Sequence, residues 1–167
     1  MKILFGSLVL ASSLLFSSLA SADIFNFTAT IDSNQEVPSN SSTGTGSAVV
    51  TYDNTTGQLV WTIEYSGLTG PVTAMHFHNA PAGSNGSVEV NIGTISGLES
   101  PNNGNTTISA AQAANLLIDN WYINIHTAAN PGGEIRGQVM LQPIPEPGSL
   151  LLLSGLGLFG LCTRRKK

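Results

Sequence analysis

The sequence predicts an all-β domain: an antiparallel sandwich or flattened barrel of about seven strands with one short helix. Three observations carry this. Runs of six to nine residues alternate apolar and polar side chains, the period of a strand with one buried face. Clusters of Gly, Pro, Asn, Asp and Ser separate these runs at short intervals. A single stretch, Ile108 to Ile118, has the composition of a helix.

The first strand reads Ile24 to Ile31, with Phe25, Phe27, Ala29 and Ile31 on one face. Asp32 to Gly46 is rich in Ser, Asn, Thr and Gly and reads as an exposed loop. Ser47 to Tyr52 and Gln58 to Tyr65 flank Asp53-Asn54-Thr55-Thr56-Gly57, the signature of a hairpin. Val72 to His78 is the next strand, followed by a loop at Ala80 to Gly86. Ser87 to Gly93 alternates again, directing Val88, Val90 and Ile92 inward. Ser109 is the expected N-cap of the helix, which closes near Asp119-Asn120. Trp121 to Thr127, the turn Ala129 to Gly133 and the strand Glu134 to Leu141 complete the domain, whose bounds are placed at 23–142.

Both ends read as processing signals. Met1-Lys2 precedes an apolar run from Ile3 to Leu19, and Ala20-Ser21-Ala22 supplies the small residues that signal peptidase accepts, so residues 1–22 are expected to be removed after Ala22. Residues 143–167 contain Pro145-Glu146-Pro147, a mostly apolar helix-forming run at 148–162 and a basic tail at 164–167. About fifteen apolar residues make a short, weak membrane span, with the cations on the cytoplasmic side. This ordered set resembles the PEP-CTERM sorting signal. The resemblance implies transient anchoring in the inner membrane, cleavage by an exosortase and delivery to the cell envelope or the extracellular matrix, where exopolysaccharide or matrix components are the expected partners.

Setting the ends aside changes the charge. Of six Lys and Arg, only Arg136 remains within residues 23–147, against all ten acidic residues, a net charge of about −9. Such a surface excludes a nucleic-acid partner. The single cysteine, Cys162, lies in the apolar tail, so the exported domain contains no disulfide and no thiol nucleophile.

The chemistry-bearing residues centre on the three histidines. In Ala74-Met75-His76-Phe77-His78, strand alternation sends Met75 and Phe77 into the core and leaves His76 and His78 together on the other face. In Trp121 to Thr127 the same rule groups Tyr122, Asn124 and His126. Three imidazoles with an open fourth position suit Zn or Cu rather than oxygen-seeking Ca or Mg. The alternative is a polar network that pins neighbouring strands. Glu134, Arg136 and Gln138 are expected on one face of the last strand, with Arg136 paired to Glu134 or another acid and the imidazoles bonded to Tyr122 or Asn124.

These segments, with Ala80-Pro81-Ala82-Gly83 and Pro131-Gly132-Gly133-Glu134-Ile135-Arg136-Gly137-Gln138-Val139, resemble the CHRD domain from roughly Phe25 to Val139. The resemblance implies an immunoglobulin-like β-barrel and names the fold more firmly than the function; the ligand-binding or adhesive envelope role is expected from the two terminal signals. The His-x-His pair also resembles copper/zinc superoxide dismutase, whose disulfide pair and fuller ligand set have no counterpart here. Redox or hydrolytic activity therefore rests on the metal reading alone, and non-enzymatic binding is the first expectation.

Overall fold

The computed structural model describes residues 23–143. The signal-peptide segment with Ala20 and Ala22 lies outside the described residues. So do Pro145, Glu146, Pro147, the 148–162 run and the basic tail.

The described residues form nine strands in one continuous antiparallel sheet that curls into a half-barrel. In chain order they are β1 (Ile24–Asp32), β2 (Thr45–Asp53), β3 (Gln58–Ser66), β4 (Val72–Asn79), β5 (Ser87–Asn91), β6 (Asn102–Thr107), β7 (Trp121–Thr127), β8 (Ile135–Gln138) and β9 (Met140–Leu141). The spatial order is β5-β4-β7-β8-β1-β2-β3-β6, with β9 also paired to β1. β2 and β3 form the expected hairpin, in register from Thr45↔Ser66 to Tyr52↔Leu59.

The strand alternation builds the core directly. Phe27, Ala29 and Ile31 of β1, Val50 of β2, Leu59, Trp61 and Ile63 of β3, Met75 and Phe77 of β4, and Trp121, Ile123 and Ile125 of β7 are all buried. Trp61 meets Phe77 edge to face at 5.5 Å between ring centroids, so the two ends of the sheet curl until their inner faces touch. The indole Nε1 of Trp61 donates to Asn102 Oδ1 at 2.9 Å, which satisfies its polar edge inside the core.

Four details differ from the sequence reading. β6, Asn102 to Thr107, has almost no apolar content, yet it pairs with β3 as an edge strand because backbone bonding there needs no buried side chains. Gly104 lies directly on Trp61, where a Cβ would run into the indole ring. The chain after Asn91 winds into a short helix, α1 (Ile92–Ser96), in addition to the expected helix, α2 (Ala110–Leu116). Asn91 caps α1 through Thr94, which ends the strand two residues early and still buries Ile92. Ser109 caps α2 as expected, in a reciprocal capping box with Gln112. Val88, expected inside, is half exposed because the β4–β5 register shifts between Phe77 and His78.

The largest difference is the segment after β1. Rather than an exposed loop, Ser33–Gln35 forms a 3-10 turn capped by Asp32, and Glu36 beyond it is buried. This segment lies over the outer face of β7 and β8. It converts what alternation predicts to be a solvent face into a second, polar interior.

Candidate metal centre

Cross-strand register assembles the site. His76 of β4 lies opposite Asn124 of β7, which lies opposite Arg136 of β8. One row along, His78, Tyr122 and Gln138 stand in line, and His126 lies opposite Ala74. Alternation puts all of these on the outer face, and directly opposed side chains on one face of an antiparallel pair lie within reach of one another.

The three histidines converge. One ring nitrogen from each lies within 4.8 Å of the others, and His76 Nδ1 is 3.3 Å from His126 Nε2. Two of the rings are fixed from behind: His78 Nδ1 is 3.0 Å from the carbonyl oxygen of Gly86, and His126 Nδ1 is 3.0 Å from that of Pro131. A carbonyl can only accept, so each of these Nδ1 atoms carries the proton and each Nε2 carries a bare lone pair. His126 Nε2 faces His76. His78 Nε2 is buried and has no hydrogen-bond partner among the described residues.

All three imidazoles are held below their ordinary pKa. Burial is the main cause for each; neighbouring imidazoles add to it for His76 and His78, Arg136 adds for His78, and the carbonyl contacts of His78 and His126 oppose it. Neutral rings with unprotonated Nε2 atoms are the form that ligates a metal.

Of the remaining candidates, Tyr122 and Arg136 join this cluster. The Tyr122 ring stacks on His78 at 4.9 Å with an interplanar angle of 8°, and the Arg136 guanidinium lies 3.4 Å from the centroid of the Tyr122 ring. The Tyr122 hydroxyl accepts from the Gly86 N–H at 3.1 Å. Asn124 Nδ2 donates to Glu36 Oε2 at 3.5 Å, while Asn124 Oδ1 and Glu36 Oε1 are buried without partners among the described residues. Burial pushes the Glu36 carboxyl up to about 7, against the pull of the Arg136 charge and of bonds from Val37 and Asn124.

Glu134 is elsewhere. It precedes β8 rather than sharing a face with Arg136, and its carboxylate accepts from Ser42 Oγ, from the Thr69 N–H and hydroxyl, and from Thr127 Oγ1. Desolvation opposes its ionisation, but these donors together outweigh that and bring the carboxyl down to about 2. The acid beside Arg136 is Glu36, from the loop expected to be exposed. The guanidinium borders a cavity of about 190 Å³ together with Glu36 and Gln138.

Sequence reasoning missed Glu36, Gly86 and Pro131. Glu36 carries no periodic signal. The Gly- and Pro-bearing loops that follow each histidine strand were visible, but which carbonyl turns inward depends on the folded loop.

The model of the CHRD domain matches residues 27–139, more than half of the chain. The chain belongs to the CHRD family. A second model, the PEP-CTERM protein-sorting motif, matches residues 143–166. No curated protein and no solved structure matches the chain. The sorting signal makes this CHRD protein an exported protein of the cell envelope or extracellular space, held transiently at the membrane and processed by an exosortase during export.

Proposed function

We propose that this CHRD domain binds a single Zn or Cu ion through His76, His78 and His126, as an exported metal-binding protein. The carrying observation is the His78 Nε2 lone pair, buried and unpartnered in a cluster whose other rings turn their nitrogens toward one another. A buried polar atom without a partner costs free energy, and an ion would remove that cost. A tetrahedral ion with bonds of 2.0–2.1 Å sets its ligand nitrogens about 3.3 Å apart. His76 Nδ1 and His126 Nε2 are 3.3 Å apart as a hydrogen-bonded pair, so an ion that replaces the proton between them requires little movement of either ring. The ligand atoms are His78 Nε2 and His126 Nε2, whose rings the carbonyls of Gly86 and Pro131 orient, and His76 Nδ1, which gives up on the ion's approach the proton it otherwise donates to His126 Nε2. Three nitrogens leave a fourth position for water or a small exogenous ligand.

Metal analysis of purified protein dialysed against zinc or copper tests this. One ion per chain is expected, lost in His78→Ala and accompanied by a higher melting temperature that a chelator reverses. At a free metal concentration a hundred times the Kd, the added stability is about 2.7 kcal/mol. No stoichiometric ion and no thermal shift with either metal would leave the histidines as a strand-pinning network. The domain would then revert to the adhesive or matrix-binding role.

A further inference from the structure

The one Lys or Arg of the folded domain, Arg136, is almost fully buried, with 1% exposure, although among the described residues no hydrogen bond to a carboxylate accounts for it. Its hydrogen bonds are long: 3.4 Å to Asn85 Oδ1 and 3.4 Å to the Pro81 carbonyl. Its short contact is the stack on Tyr122, at 3.4 Å to the ring centroid. Tyr122 in turn lies flat on His78. The three planar groups form a ladder in which Tyr122 is in contact with both the Arg136 guanidinium and the His78 imidazole.

A second restraint meets the same ring. Gly86 accepts from His78 Nδ1 through its carbonyl and donates its N–H to the Tyr122 hydroxyl, so one peptide segment fixes both the imidazole and the phenol stacked on it. The position admits only glycine, because a Cβ there would run into the Asn79 carbonyl. Arg136 is likewise held by Pro81 and Asn85 of the same loop. The loop from Pro81 to Gly86 therefore grips every member of the ladder.

We infer that Tyr122 and Arg136 are positioning residues for the ion site, acting through His78, so that the polar network is the outer shell of the site rather than an alternative to it. This rests on the ion reading. The physical reason is that a ring stacked on one face and bonded at its far nitrogen cannot rotate its Nε2 lone pair away from the ion. A cation over the Tyr122 ring strengthens the stack by drawing on its π-electrons.

The test is copper(II) binding to the purified protein, read by competition titration and by electron paramagnetic resonance. Tyr122→Leu removes the stack while leaving all three ligands in place. It is expected to weaken copper affinity by about 10–100-fold, the usual effect of losing an outer-shell partner, and to alter the copper hyperfine splitting. The chelator-treated variant must still melt cooperatively. Should it not, Arg136→Gln, which keeps the tyrosine and removes the capping cation, is read in the same two ways with the same direction expected. Wild-type affinity and an unchanged spectrum in a folded variant overturn the inference and leave the ion site standing. If the wild-type protein itself takes up no copper or zinc, the ion reading fails and this inference fails with it.

Discussion

At the scale of single residues, the two buried glutamates behave oppositely, and each makes a testable statement about pH. Glu36 has a folded pKa of about 7 against an ordinary 4.5, so between those values the folded protein binds more protons than the unfolded chain. Its contribution to stability is fully present below about pH 4.5 and is lost as pH rises through 7. Glu36→Gln keeps the shape without the charge. Denaturant melts at pH 5 and pH 8 should show the variant gaining on the wild type by about 1–3 kcal/mol between the two. An equal pH dependence in both proteins would mean that Glu36 ionises freely. Glu134, brought down to about 2, contributes stability that is present above its unfolded pKa and lost as pH falls toward 2. Glu134→Ala strands the donors of Ser42, Thr69 and Thr127, and is expected to cost roughly 3 kcal/mol at neutral pH by urea denaturation.

At the scale of elements, the outer face of β7 is the unusual feature. A strand with one wet face exposes every second residue, but Tyr122 and Asn124 are as buried as Ile123 and Ile125. Three loops cover this face: the turn after β1 through Glu36, the Pro81–Gly86 loop through Gly86, and the turn before β8 through Pro131. Each contact is between a loop and a strand far away in the chain or across a turn, so the polar interior forms only when the sheet is complete. The edge strand β6 is the counterpart on the opposite side. It holds no apolar face, and its Gly104 exists to let the backbone lie on Trp61. Gly104→Ala should lower stability by about 1–3 kcal/mol through overpacking against the indole. A thermal melt matching the wild type would show that the ring can yield.

At the scale of the whole molecule, the sorting signal and the proposed metal site occupy separate parts of the chain. β9 pairs with β1 near Phe27, and Gln142 N–H continues the bonding to the Asn26 carbonyl, so the sorting segment leaves the fold at that end of β1. The histidine row carrying Arg136 meets β1 at Asp32, the other end of the strand. Five residues of extended chain separate these positions, about 17 Å. Removing Pro145-Glu146-Pro147 should therefore block release from the membrane without changing metal uptake. Membrane fractionation and metal analysis of the same preparation check both halves, and loss of metal binding would show that the two are coupled.

The sequence by itself determined which residues face inward in most strands, the β2–β3 hairpin, the Ser109 cap, the C-terminal sorting signal and the grouping of the histidines on like-patterned strands. These follow from local rules: a period of two along a strand, the chemistry of turns and caps, and the order of apolar and basic residues at a membrane. Only the tertiary structure decided that His76, His78 and His126 belong to adjacent strands, that Glu36 rather than Glu134 lies beside Arg136, and that Asn102 to Thr107 forms a strand. Those outcomes depend on strand order, register and loop closure between residues dozens of positions apart. Alternation assigns a side chain to a face, but it carries no information about which strand lies next to it or which loop folds over it.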